Sequence, residues 1–176
     1  MPESIENYVP QKMIIVQKRQ AVWVWGVTLT IILIWVAAIV SAPIFEDNGI
    51  KAVSQPIYLF FSRLCHQISA RSFHIHEHQL AVCARCFGFY AGFLAGFIIY
   101  PFFRALNNTD SFPRYWLFLA MIPMGIDFSL TFFGIWENTH LSRLISGLIL
   151  GIACAFFIIP ALVEISYFVR QKYSKK

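Results

Sequence analysis

The sequence predicts an all-α polytopic membrane protein, a single integral membrane domain over residues 1–176 with four transmembrane helices and one short interfacial amphipathic helix. Three observations predict it. Hydrophobic residues make up 58% of the chain and charged residues only 13%, where soluble domains carry about a quarter. Four apolar stretches approach or exceed the roughly 20 residues that cross a bilayer as a helix. Eighteen Phe, seven Tyr and five Trp suit a lipid-facing surface with aromatics near the interfaces. A net charge of +5 raises nucleic acid as a partner, but the basic residues gather at the chain ends and in short loops, with no basic-aromatic stripe. Topology accounts for them, and the expected surroundings are a lipid bilayer with no nucleic acid.

The first 20 residues read as a basic tail whose apolar patch, Met13 to Val16, is too short to span and suits the membrane surface. The first span covers residues 21–44, without a charge. Val40-Ser41-Ala42 resembles a signal-peptidase site, but so long an apolar run reads as an uncleaved anchor. Pro43 and Glu46 to Gly49 are expected to end that helix. Over residues 55–69, Ile57, Phe60, Phe61, Leu64 and Ile68 recur at helical spacing, which predicts the interfacial helix. On such a helix Cys65 flanks the apolar stripe and His66 points away. Residues 71–79 form a connector carrying His74, His76 and His78 at alternate positions.

The second span, residues 80–103, has Arg85 as its only charge and Gly88, Gly92 and Gly96 at every fourth position, a pattern that lets helices approach closely in lipid. The third, 115–136, carries Pro123 one turn before the intramembrane Asp127. The fourth, 144–169, has Arg143 at its mouth and a second close-packing pair, Gly147 and Gly151, so spans two and four are expected to meet through glycine. The tails and the loop after span two hold nine Lys and Arg (Lys12, Lys18, Arg19, Arg104, Arg114, Arg170, Lys172, Lys175, Lys176). The other side holds four (Lys51, Arg63, Arg71, Arg143). Both termini are therefore expected in the cytoplasm of a multi-pass plasma-membrane protein, with the Cys/His segment outside.

The chemistry-bearing residues lie between Cys65 and Arg143. Cys83 and Cys86 share a helix face, and Arg85 points to the glycine face, where a buried guanidinium needs an anion; Asp127 is the one acid at a matching depth. One reading of the thiols is zinc: C-x2-C spacing supplies Cys83 and Cys86, Cys65 a third thiolate, and His66 (or His74, His76 or His78) the fourth ligand. Adjacent Cys65 and His66 diverge by about 100° on a helix, so both reach one ion only if the helix ends there. Another reading is thiol–disulfide exchange by Cys83 and Cys86 with Cys65, helped by a helix N-terminus and Arg85. A third is binding or transport of a small anion or lipid-like substrate by Arg85, Asp127 and Arg143, which are also the tentative catalytic set if zinc activates water; Asp127 and Glu137 are then the available bases. Cys154, deep in an apolar run, reads as inert packing.

The segments Leu64-Cys65-His66-Gln67, Arg71-Ser72-Phe73, Val82-Cys83-Ala84-Arg85-Cys86-Phe87-Gly88, Gly125-Ile126-Asp127 and Arg143-Leu144-Ile145-Ser146-Gly147 together resemble a family of small membrane proteins catalogued as domain of unknown function twenty eighty-five. The resemblance implies that Cys65, His66, Cys83, Arg85, Cys86, Asp127 and Arg143 form one cluster. It assigns no reaction.

Overall fold

The computed structural model describes residues 11–110 and 112–174, with side chains from Gln17 to Tyr173. Residues 1–10 and the two terminal lysines, which carry part of the expected basic tails, lie outside the described residues. The order is α1 (Gln11–Asp47), α2 (Lys51–Ser62), a hairpin of β1 (His74–Ile75) and β2 (His78–Gln79), then α3 (Ala84–Phe103), α4 (Tyr115–Phe132) and α5 (His140–Ser174). Helices α1, α3, α4 and α5 are each long and apolar enough to cross a membrane. This is the expected set of four spans plus one short helix.

The boundaries differ for local reasons. The backbone of Met13 to Val16 is continuous with α1, and α1 passes through Pro43 to Asp47. Each of these helices carries one internal proline (Pro43, Pro56, Pro101, Pro123, Pro160) and continues past the one hydrogen bond it removes. What stops α1 is Gly49 at φ +73°, where the Ile50 N–H bonds to Phe45 O at 2.8 Å in a left-handed cap. Helix α2 begins and ends earlier than expected. It stops at Ser62, and Cys65 and His66 lie in the loop beyond.

The connector after that loop is a tight hairpin with His74 opposite Gln79 and Ile75 opposite His78. His76 and Glu77 both have positive φ, which is turn geometry that Asn-Gly would advertise and His-Glu does not. Leu80 to Val82, expected to begin the second span, is instead a buried, bent non-helical segment, and Cys83 is the N-cap residue of α3.

Helices α3 and α5 form the centre of the bundle, with backbones in contact. A Cβ built on Gly88 would lie 2.3 Å from Leu144 O, and one on Gly92 2.2 Å from Leu148 O. In return, a Cβ built on Gly147 would lie 2.3 Å from Arg85 O and one on Gly151 2.2 Å from Phe89 O. The two stripes interlock as the small-residue spacing requires. Helix α1 packs across both, and its Trp25 indole donates to Phe97 O at 2.8 Å. Helix α4 is peripheral: 6% of its apolar window is buried, against 22–28% in the other spans, and it rests chiefly on α5.

Two apolar clusters divide the interior by depth. One, at the hairpin end, gathers Ile39, Ala42, Phe61, Cys65 and Leu80 to Val82, with Trp35 edge-on to Phe60 and Phe61 at 5.4 and 5.2 Å. The other gathers Ile32, Phe97, Tyr100, Ala155 and Ile159 nearer the opposite end.

Candidate thiol and arginine site

At the hairpin end, the loop after α2, the start of α3, the end of α4 and the start of α5 enclose a cleft of about 410 Å³. Cys65, Cys83 and Cys86 line it with His66, Arg71, Arg85, Asn138 and Arg143, and Phe128 and Phe132 form an apolar wall. The lining runs from Cys65 to Arg143, 78 positions apart in the sequence, so the tertiary fold, not local sequence, assembles it.

The loop is held by Gln67, whose backbone is left-handed (φ +49°) and whose side-chain amide donates to Tyr58 O and Ala81 O, each at 2.8 Å. One side chain thus ties α2 to the segment entering α3. Sequence reasoning quoted Gln67 in a motif but gave it no role. Behind it, the Tyr58 hydroxyl donates to Gln79 O at 2.5 Å, joining α2 to the hairpin.

The thiols are all free and mutually close. Cys65 Sγ accepts the Cys83 N–H at 3.2 Å, and Cys83 Sγ accepts the Ile68 N–H at 3.3 Å. The adjacent Cys86 thiol, aided by the N–H groups of Cys83 and Gln67 and opposed by burial, pulls Cys65 down to about 5. That shift favours the thiolate form of Cys65. Burial pushes Cys83 up despite its amide donor. Cys154 lies eleven residues beyond Arg143 on α5, roughly 16 Å along its axis, and takes no part.

Arg85, in the first turn of α3, forms an ion pair with Asp127 of α4; their side chains are 22% and 12% exposed. The Asp127 turn is fastened further by Asn138 Nδ2, which donates to Asp127 O at 2.7 Å, and by Thr131 Oγ1 at 3.3 Å. Arg85 Nε and Asn138 Oδ1 are buried with no hydrogen-bond partner among the described residues. Helix α5 starts at His140, with the Thr139 hydroxyl accepting the Ser142 N–H at 3.1 Å, so Arg143 sits in its opening turns rather than ahead of it. No ion pair among the described residues involves Arg71 or Arg143.

Of the histidines, His66 alone lines the cleft. His74 bonds to Ser69 Oγ at 3.0 Å and His76 pairs with Asp47 at 3.0 Å on the outer surface of the hairpin. Glu137 is exposed and outside the cleft lining. As arranged, the described residues contain no group of three or more His, Cys, Asp or Glu side chains that could hold a metal ion.

Fold and cleft together define a polytopic helical membrane protein with a thiol and arginine site at one end of its bundle. The chain belongs to the DUF2085 family of predicted membrane proteins, whose model matches residues 65–157, the segment from the first cleft cysteine through the first half of α5. It is 38% identical over 146 residues to an uncharacterised protein of Methanocaldococcus jannaschii, a match that covers 80% of this chain and 94% of the relative. No solved structure matches the chain.

Proposed function

We propose that the protein is a membrane thiol–disulfide oxidoreductase whose reacting groups are Cys65 and Cys83, with Cys86 holding Cys65 in place. The observation that carries this reading is the convergence of three free thiols on an open, solvent-reachable cleft. By the count of Lys and Arg, that cleft faces the extracytoplasmic side of the plasma membrane, where disulfides persist. A disulfide-bearing partner is attacked by the Cys65 thiolate; one partner sulfur leaves as a thiolate and takes a proton, and a mixed disulfide remains. Cys83 then gives up its proton and attacks Cys65 Sγ, expelling the second partner sulfur. Cys65 and Cys83 end as a disulfide and the partner as two thiols: two electrons have passed to the partner, with one proton from Cys83 and one from solvent.

A second reading keeps Cys65, Cys83, Cys86 and His66 as zinc ligands. What favours it is the end of α2 at Ser62, which frees Cys65 and His66 from the divergence of adjacent helical positions, and the amide donors on two sulfurs. In that reading the metal would staple the loop to α3.

Metal content by elemental mass spectrometry, with free thiols counted before and after reduction of detergent-purified protein, separates the two. The redox reading expects no bound metal, two thiols that appear only on reduction, and loss of exchange in a folded Cys65→Ser protein. One zinc per chain, with the thiols reactive only after chelation, would sink it in favour of the metal.

A further inference from the structure

We infer that the cleft is the headgroup end of a binding site for an anionic amphiphile, whose apolar chain lies along the seam between α4 and α5. The inference stands apart from the thiol reading, since it concerns what binds beside the sulfurs.

Charge comes first. Of the three arginines lining the cleft, Arg85 is neutralised by Asp127, whereas Arg71 and Arg143 have no carboxylate partner among the described residues. Two uncompensated guanidinium groups at the edge of hydrocarbon call for an anion. Hydrogen bonding sharpens the chemistry. Arg85 Nε is a buried donor and Asn138 Oδ1 a buried acceptor, both on the cleft and both unpartnered among the described residues. A headgroup that carries anionic oxygens and a hydroxyl offers a partner to each, and a buried polar group left without one is costly.

The apolar part of the ligand follows from a second cavity. About 600 Å³ of groove runs between α4 and α5, lined by Trp116, Pro123, Ile149, Ile152, Ala153 and Phe157. Along α4, Trp116, Ala120, Pro123, Asp127 and Thr131 fall on one helical stripe, so groove and cleft share a face of that helix. Along α5, Arg143 precedes Ile149 by six residues, about 9 Å of rise. A polar head at the arginines therefore places its chain at the mouth of the groove, and a free anion would leave the groove unused.

Native mass spectrometry of the reduced, detergent-purified chain tests this without thiol chemistry. Phosphatidylglycerol is expected to bind at least about tenfold tighter than phosphatidylcholine of equal chain length, a preference lost in Arg71→Gln/Arg143→Gln. Inorganic phosphate should not displace the lipid, and Ala153→Phe should weaken long-chain more than short-chain phosphatidylglycerol. On the unaltered protein, affinity should rise with chain length until the groove is filled, a result independent of whether the variants fold. Equal binding of the two lipids, or displacement by phosphate alone, would overturn the proposal.

Discussion

At Cys65 the fold produces a charge that the residue type alone does not. Cys65 is 7% exposed, and burial by itself would keep it protonated; the neighbouring Cys86 thiol and two amide donors oppose that. Because the folded value, about 5, lies below the ordinary thiol value, this group stabilises the fold fully above the unfolded value and progressively less as pH falls toward 5. Ultraviolet thiolate absorbance should therefore titrate near pH 5, and Cys86→Ala should move that step upward; an unchanged step would show that Cys86 does not hold the thiolate. The pairing of Arg85 with Asp127 was legible from depth and charge alone, since each is costly without the other. Asp127→Asn strands the guanidinium and should destabilise the protein by on the order of 3 kcal/mol, read as a lowered unfolding midpoint in detergent. Gln67 was not legible, because nothing in a glutamine announces that it will bridge two carbonyls from a left-handed backbone.

The elements divide by how far their signals were local. Glycine at every fourth position in α3, with a matching pair in α5, announced the central contact, and a Cβ built on Gly88, Gly92, Gly147 or Gly151 would lie only 2.2–2.3 Å from an opposing carbonyl oxygen. Gly92→Ala should consequently cost about 3 kcal/mol or more, because the methyl group has no space against Leu148 O. Gly26→Ala and Gly125→Ala, with nothing within 4 Å, should instead be neutral or stabilising by about 0.5–1 kcal/mol. Thermal unfolding of the three variants side by side checks the contrast, and equal losses would refute the interlocked packing. The ends of elements were less legible. Pro43 looked like a stop, yet the left-handed Gly49 ends α1; the apolar Leu80 to Val82 looked like the start of a span, yet they fill the core under the hairpin as a bent loop segment. Short apolar runs carry no mark that separates helix from buried strand. The hairpin itself was hidden by an unusual His-Glu turn.

For the molecule as a whole, four spans and nine basic residues on one side against four on the other set the orientation expected in the bilayer. A membrane-impermeant maleimide applied to intact cells should label Cys83, which is half-buried at the hairpin end, while a cysteine placed at Lys172 should react only after lysis; the opposite pattern would invert the topology and put the thiols in a reducing compartment. The site was legible as a set of residue types but not as a cleft, because its walls come from α4 and α5 as well as from the cysteine-bearing segments. The interlock of α3 with α5 acts as a ruler. It fixes the axial offset between the helix that begins at the cysteines and the helix that presents Arg143, and a slip by one turn would move that guanidinium about 5.4 Å. Gly92 lies nine residues into the chain from Cys83, about 13 Å deeper, so damage there should register first as a fault in the distant chemistry.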